Sequence, residues 1–313
     1  MIVVCYREIP LKLLFQRLFS VSDMACSHCR TYLNIYTALW YNNELRAGNF
    51  LIETGRNDRV IGMRRLESGM SVDNELFFDI FRYENEKISG TTVTNSNVGS
   101  PIFWNCTLHQ LVFDTCDLTN TRFFAGSTID QCTFICSDLR SVGIAKGEAV
   151  FTNCEFSSCD MRGMTLENAT FIDCTFVKCR FNDRILQAAN IVNCSFSGKL
   201  VDITFEGNGK QKLIVNLENC ILDGVRFVGC DLTQCIPPKS KNHRYVEQVS
   251  ARVKNALTKI DDDPDLSNDD RKVLVRSLRK LEGMEQYIFN TAHMKKIYGD
   301  VFVERFFSSL ESN

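Results

Sequence analysis

The chain has 313 residues, of which 44% are hydrophobic and 24% charged, so it is long enough for one large or two modest folded domains. Its formal net charge of −2 excludes a strongly basic protein that binds nucleic acid or anionic membranes through charge alone. The odd number of cysteines, 15, and the absence of a signal-peptide pattern argue against a secreted disulfide framework. These features predict a soluble, cytoplasmic protein.

Residues 1–87 are predicted to form an N-terminal α+β cap. Charged side chains interrupt the opening MIVVCYREIPLKLLFQRLFSVSD too often for a membrane span, and Met24 is an alternative start. Further along, NFLIETGRNDRVIGMRRL predicts a hairpin with its turn at Gly55–Asp58, and ELFFDIFRY predicts a strand that leads into the next region.

One cysteine pair near the start has the spacing of a zinc ligand pair. Cys26 and Cys29 form CSHC, with His28 between them and Cys5 nearby. A structural zinc site needs four ligands, and no second pair of this kind follows. We therefore predict no metal site here and interpret these residues as unrelated thiols.

A repeat of five residues begins near residue 88. In FTNCEFSSCDMRGMTLENATFIDCTFVKCRF, the large apolar residues recur five apart, a period that neither an α-helix nor a flat strand has. We call each of these residues a centre, and the residue two places before it is usually small and often cysteine. Extra residues enter near Gly126, Gly147 and Asn208–Lys212, and CIPPKS ends the pattern near residue 237.

A period of five is satisfied if the chain turns a corner every five residues, so that four units make one square coil of twenty residues. Stacked coils then pair as parallel strands about 4.8 Å apart. The centre and the small residue both point into a narrow interior, which has no room for two bulky side chains per corner. The units CDLTN, CDMRG and CDLTQ, at residues 116–120, 159–163 and 230–234, show the pattern most clearly.

These units resemble the pentapeptide-repeat family over residues 88–237. The resemblance implies a mainly β protein, a right-handed quadrilateral β-helix of about seven coils, and a role in binding rather than catalysis. The predicted organisation is a cap at 1–87, the β-helix at 88–237 and an all-α C-terminal tail at 238–313.

The spacing also predicts two inner columns of cysteine. One holds Cys132, Cys154, Cys174 and Cys194, and the other holds Cys116, Cys159 and Cys179 with Ser137 in the gap. A thiolate metal site is one hypothesis, but packing alone explains the spacing, and cysteine serves well as a small buried residue. We therefore predict no metal and no cofactor.

After residue 238 the apolar period becomes helical. Val246, Val249, Val253, Ala256 and Ile260 predict one helix. A second helix follows a capping box at Ser267 and Asp270, with Leu274, Leu278, Leu281, Met284 and Ile288 along one face. Asp300 precedes a last helix that carries Phe302, Phe306 and Phe307.

The sequence has none of the patterns expected of the common enzyme classes. It lacks a phosphate loop and a dinucleotide turn, and its four histidines form no Ser/His/Asp or Cys/His arrangement that the sequence brings together. We predict that the chain is not an enzyme. The first hypothesis is a protein-interaction scaffold that docks a protein partner or a second copy through its helical tail, with Phe302, Phe306 and Phe307 as candidate contacts.

The alternative is a DNA mimic, because some members of the family resemble duplex DNA in charge and bind DNA gyrase or topoisomerase. Residues 88–237 carry fifteen acidic and eleven basic residues, and Lys210 and Lys212 make the largest insertion basic. The hypothesis of DNA mimicry is favoured if the acidic residues lie together on one face without arginine. It is disfavoured if acidic and basic residues are intermixed. The aspartates in question are Asp114, Asp117, Asp138, Asp160, Asp173 and Asp231.

Overall fold

The structure, a computed structural model, describes residues 50–52, 61–77, 80–145, 149–261 and 266–311. The chain divides into two units, Met1–Leu51 and Ile52–Asn313, and the description below concerns the second. The expectations for Met24, Cys26, His28 and Cys29 lie outside the described residues. No helix among the residues described here has both the length and the apolar character needed to cross a lipid bilayer.

Short parallel strands stack into a four-sided β-helix, as the period of five predicts. The first side, face 1, stacks strands in register through seven levels from Ser71 to Ser197, and an eighth strand pairs with the seventh with shifts in register. Its strands are Ser71–Asp73, Thr92–Thr94, Val112–Asp114, Thr133–Ile135, Glu155–Ser157, Thr175–Val177, the 195–197 part of Ile191–Val201, and Ile214–Asp223.

The other three sides complete each coil. Face 2 is joined by single bridges at Leu76, Asn97, Asp117, Asp138, Asp160 and Arg180. Face 3 holds Arg82–Glu84, Ile102–Trp104, Arg122–Phe124 and Gly143–Ile144, then, after a 3₁₀ turn at Leu166–Asn168, Ile185–Gln187, Thr204–Lys212 and Arg226–Asp231. Face 4 holds Lys87–Ser89, Thr107–His109, Ser127–Asp130, Ala149–Thr152, Ala169–Ile172, a 3₁₀ turn at Ala188–Asn190 and the start of Ile191–Val201.

Most corners are made by a residue with left-handed backbone, two places after a centre. Five consecutive corners show this, with φ between 51° and 62°: Asn105, Gln110, Thr115, Asn120 and Ala125. Only glycine adopts this conformation freely, and asparagine and aspartate tolerate it better than most other residues. The corner requirement therefore explains why small and polar residues follow each centre.

The interior is a ladder of stacked aromatic rings. On face 1, Phe134 and Phe156 lie 4.9 Å apart and Phe156 and Phe176 lie 5.0 Å apart, with interplanar angles of 2° and 8°. Phe113 and Phe196 extend the same stack at its two ends. The predicted centres are thus the buried core of the coil.

The β-helix begins earlier than the predicted boundary at residue 88. Leu66, Val72, Phe77 and Tyr83 are buried in its core, so residues from Leu66 onward belong to the coils rather than to the cap. The first levels were not recognisable because the small position before the centre holds Met70, Glu75, Phe81 or Glu86 instead of cysteine. Of the predicted hairpin, the structure describes the strands Phe50–Ile52 and Ile61–Met63, whereas its turn lies outside the described residues.

The C-terminal tail, as far as the structure describes it, contains four helices, but the prediction that it is all-α is wrong. The helices are α1 (Val249–Asp261), α2 (Asn268–Arg279), α3 (Thr291–Tyr298) and α4 (Asp300–Glu311). Strands His243–Glu247 and Gln286–Asn290 pair antiparallel as a cap hairpin. The predicted second helix therefore ends at Arg279, and Ile288 lies in a strand.

The cap hairpin is buried on both sides. Tyr245 and Ile288 pack on the core of the β-helix, and Val246 and Phe289 pack with the helices. The main-chain N–H of Leu222, on the last coil, donates to His243 Nε2 at 3.0 Å, and the Asn290 amide donates to the Leu222 carbonyl. The tail thus closes the C-terminal end of the stack, whose raw strand edge would otherwise pair with other chains.

Two glycines allow the irregular last coils to pack. A Cβ on Gly207 would lie 2.5 Å from the carbonyl oxygen of Gly229, a main-chain atom that cannot move aside. We expect Gly207→Ala to lower the free energy of unfolding by about 2–3 kcal/mol, because the clash must displace one of the two strands. Urea denaturation measures this loss. The control is Gly90→Ala, where φ is +62° and nothing lies within 4 Å. It should cost about 1 kcal/mol through backbone strain alone. Equal losses in the two variants would contradict the close approach.

Candidate protein-binding surfaces

Face 2 carries a row of aspartates that the sequence singled out. Asp117, Asp138 and Asp160 occupy successive levels, and Arg180 follows at the next. Each aspartate accepts a hydrogen bond from the main-chain N–H two residues later, at 3.0, 3.0 and 3.2 Å. This turn is a general use of aspartate, so the row has a structural cause of its own.

Arginines alternate with these carboxylates. The Arg140 guanidinium donates to Asp138, and the Arg162 guanidinium donates to Asp160, each at 2.6 Å. The hydrogen bonds from these arginines hold the pKa of Asp138 and of Asp160 below the usual value. Acids and bases are therefore intermixed on face 2, and it is not a continuous strip of negative charge.

The remaining aspartates of the predicted set lie elsewhere. Asp114 is on face 1. Asp173 is a corner residue that accepts from the Asn193 amide at 2.5 Å, and Asp231 accepts from the Thr233 hydroxyl at 2.7 Å. The six acids do not gather on one face, so the sequence condition for DNA mimicry is not met.

Face 3 carries an exposed set of aromatic and arginine side chains, which we call the aromatic strip and define as Arg82, Ile102, Trp104, Arg122 and Phe124. The indole of Trp104 is 39% exposed, and the Arg82 guanidinium lies over it, 4.7 Å from the ring centroid. The Phe124 ring is 5.9 Å from that of Trp104 on the next coil. Tryptophan and arginine are the residue types that most often dominate the energy of a protein interface.

The aromatic strip was not predicted from the sequence, although a signal was present. Trp104 and Phe124 each come directly after a centre, in PIFWNC and TRFFAG. That position points outward, as the partial exposure of both side chains shows, and elsewhere in the repeat it usually holds a polar residue. Aromatic residues at that position are not required by the core.

The candidate contacts in the C-terminal tail divide into two kinds. Phe306 and Phe307 are buried, with ring centroids 5.6 and 5.4 Å from Phe289, so they pack inside the tail and are unavailable to a partner. Phe302 is partly exposed and stacks on Tyr298 at 4.8 Å. Tyr298 and Phe302 form an apolar corner between α3 and α4 together with Ile297 and Val301, which are 56% and 69% exposed.

Lys210 and Lys212 are both exposed, as the prediction of a basic insertion requires. They lie in the strand Thr204–Lys212, where the pairing with the next coil is irregular between Glu206 and Gln211. Lys212 is opposite Asp231 in that ladder. The insertion is thus a bulged strand of face 3, and its role as a contact stays a prediction.

The predicted cysteine columns are present. Cys132, Cys154, Cys174 and Cys194 follow one another along the stack because the strands before them pair in register, and Cys159 and Cys179 do the same. All cysteines of the described ranges are free thiols. Within those ranges, no group of three or more His, Cys, Asp or Glu side chains is placed to hold a metal ion.

Comparison with known proteins agrees with this geometry. Residues 147–183 and 215–236 match the model of the family described as pentapeptide repeats, in eight copies. The β-helix thus contains pentapeptide repeats at these residues. The match includes the centres Phe151, Phe156, Phe171 and Phe176 and the aspartate turn at Asp160.

Two solved structures are similar to the chain. Both are trypsin-treated variants of QnrB1, a plasmid-mediated fluoroquinolone resistance protein. The first is 16% identical, with a TM-score of 0.46, and covers 55% of this chain and 85% of its own. The second is 15% identical, with a TM-score of 0.44, and covers 56% of this chain and 85% of its own. Such a distant likeness carries nothing about the function of this chain. No curated protein matches it in sequence.

The arginine–aspartate pairs of the pentapeptide repeats predict a pH dependence. A lowered pKa in the folded state means that each pair stabilises the fold above the unfolded pKa of about 3.9. This stability is lost as the pH falls through the folded value. We expect Asp160→Asn, which keeps the turn acceptor, to lose up to about 1 kcal/mol at pH 7 and to weaken the acid dependence.

Urea denaturation between pH 2 and pH 7 measures this effect. The matched control is Asp269→Asn on α2, where the carboxylate is 94% exposed. Its unfolding curve should be nearly unchanged at every pH. If both variants follow the wild-type acid dependence, the carboxylate of Asp160 does not stabilise the folded state.

One row of outward side chains brings together a serine, a histidine and an aspartate, the three residue types of the catalytic triad of serine hydrolases. Ser89, His109 and Asp130 occupy successive levels of face 4, and His109 Nδ1 lies 3.0 Å from Asp130 Oδ2. A serine nucleophile also needs free N–H donors for the oxyanion. Beside Ser89 these donors are occupied, because its own N–H donates to Ser68 Oγ and that of Gly90 donates to the His109 carbonyl. The row therefore lacks the donors that acyl transfer requires.

Proposed function

We propose that this pentapeptide-repeat protein is a non-catalytic scaffold that binds a protein partner through the aromatic strip on face 3. The observation that carries this proposal is an exposed tryptophan, Trp104, that stacks beneath the Arg82 guanidinium at a position where the repeat does not need an aromatic side chain. A flat, rigid face suits this role because its strands are fixed by ladders on both sides and lose little entropy on binding. The free thiols support a reducing compartment, and we assign the protein to the cytoplasm.

The test is affinity capture from a cell lysate with the full chain, read by quantitative mass spectrometry. We expect one or a few partners to bind wild type and to be lost at least tenfold with Trp104→Ala. The matched control, Val273→Ala, removes a side chain on α2 that is 42% exposed and should retain them. Thermal denaturation checks that both variants remain folded. If the two variants recover the same proteins, the aromatic strip is not the binding surface.

The alternative function, a DNA mimic that binds DNA gyrase or topoisomerase, needs a long run of unpaired negative charge. B-form DNA carries about one charge per 1.7 Å of its axis. Face 2 instead pairs Asp138 with Arg140 and Asp160 with Arg162. We therefore expect the purified chain to leave gyrase supercoiling unchanged. Inhibition or protection at micromolar concentration would favour mimicry over the scaffold.

A second copy of the chain is the occupant that we propose for the apolar corner of the tail. Ile297, Tyr298, Val301 and Phe302 expose large apolar side chains over two helix ends. Light scattering should show a mass that rises from monomer towards dimer with concentration. Val301→Glu should abolish the rise and Val273→Glu should not. A monomer at all concentrations would reject this contact.

A further inference from the structure

The thiol columns inside the β-helix have a chemistry that packing does not require. We call the set Cys132, Cys154, Cys174 and Cys194 the long thiol column, and the pair Cys159 and Cys179 the short thiol column. Alanine fills the same kind of inward position at Ala169, so sulfur is not needed to fill the space. In both columns each thiol donates to main-chain carbonyls, as Cys154 does to Ile129 and Thr152 at 3.4 Å and Cys159 does to Phe134 at 3.2 Å.

The register of the coils places these cysteines directly above one another. Asp130 pairs with Thr152, Thr152 with Ile172, and Ile172 with Val192, so the cysteine two places later recurs at each level. Neighbouring parallel strands are about 4.8 Å apart, which lies within the Cα separation of about 4.4–6.8 Å found in disulfides. The Cβ atoms need to approach by less than about 1 Å to reach their usual separation.

We propose that the two thiol columns are an oxidation site, at which hydrogen peroxide joins cysteines on neighbouring coils by disulfide bonds. One thiol loses its proton and attacks peroxide, which gives a sulfenic acid and water. The neighbouring thiol then attacks that sulfur, forms the S–S bond and releases a second water. The peroxide is reduced by two electrons, and the two thiols together lose two hydrogens.

The interior location determines how fast this happens. Cys154 and Cys174 are 2% and 1% exposed, so peroxide reaches them when the coils open locally. Burial in the apolar core disfavours the thiolate form that attacks peroxide, so the first step is slow. The exposed corner residue Cys136 should therefore be oxidised first. Once formed, a bridge ties successive coils together and should raise the melting temperature.

The test treats the full-length protein with hydrogen peroxide below its melting temperature, alkylates free thiols in denaturant, and maps cross-linked tryptic peptides by mass spectrometry. We expect links between Cys132 and Cys154, between Cys174 and Cys194, and between Cys159 and Cys179, all reversed by dithiothreitol. The oxidised protein should melt several degrees higher than the reduced protein. A sample oxidised in 8 M urea should give scrambled links instead.

Two variants make the result specific. Cys174→Ala removes the link to Cys194 and leaves the links Cys132–Cys154 and Cys159–Cys179, whereas Cys136→Ala changes none of them. The proposal is overturned if all six column cysteines are recovered as alkylated free thiols. It is equally overturned if they carry only sulfinic or sulfonic acids, or if the links found in the folded protein match those formed in urea.

Discussion

Phe156→Ala is expected to lower the free energy of unfolding by about 3–5 kcal/mol, the range found when a buried phenylalanine is truncated. Phe156 is 1% exposed and its ring is stacked between those of Phe134 and Phe176. Removing it leaves a cavity at the middle of the stack. The parallel ladders on both sides hold the coils apart at strand spacing, so the cavity cannot collapse.

Urea denaturation followed by circular dichroism measures this loss. The matched control is Phe124→Ala, which removes the same side chain from an outward position of face 3 that is only partly buried. It should cost no more than about 1 kcal/mol. Similar losses in the two variants would mean that the residues at the centres of the repeats are not the core.

Ile288→Asp is expected to release the C-terminal tail from the β-helix. Ile288 is 3% exposed and is the residue of the cap hairpin that lies in the core of the β-helix. A carboxylate there would be buried without a partner, at a cost of at least about 3 kcal/mol. The hydrogen bonds from Leu222 to His243 and from Asn290 to Leu222 are too few to offset that cost.

Limited proteolysis of the segment at residues 237–242 reports the release. Cleavage should be at least tenfold faster in Ile288→Asp than in wild type. Ile297→Asp places the same charge at a side chain that is 56% exposed and should be cleaved at the wild-type rate. Slow cleavage of both variants would show that the cap hairpin does not depend on this contact.

The period of five was sufficient to predict the coil because packing imposes it at every corner. Phe151, Phe156, Phe171 and Phe176 all fill the interior as expected, and the cysteine columns follow from the same register. The earliest coils escaped recognition because Met70 and Glu75 stand where a small residue was expected. The fold tolerates them near its end, where Met70 packs only partly against the core.

The cap hairpin could not be read from local patterns. His243 pairs with Asn290, and the two are separated by α1 and α2. Val246 lies three residues before Val249, which imitates helical spacing although Val246 belongs to a strand. Only the three-dimensional contact between Ile288 and the β-helix distinguishes a strand from a helix at these residues.

The proposed binding surface was the least predictable part. Outward positions are free of packing constraints, so the repeat pattern gives no information about which of them contact a partner. Trp104 was therefore overlooked, whereas Phe306 and Phe307 were chosen for their hydrophobicity and proved to be core residues of the tail. The aspartates were informative because the turn at Asp117, Asp138 and Asp160 gives them a structural role.

The central claim, that the chain turns four corners for every step of one strand spacing, is tested most directly by distances along face 1. Asp73, Thr94, Asp114 and Ser197 point outward on this face, and Ser197 lies six, five and four levels beyond the other three. Genetically encoded spin labels placed in pairs with position 197 should give distances near 29, 24 and 19 Å, equal steps of about 4.8 Å. Distances that are broad, or that change by unequal steps, would contradict the stacked coil.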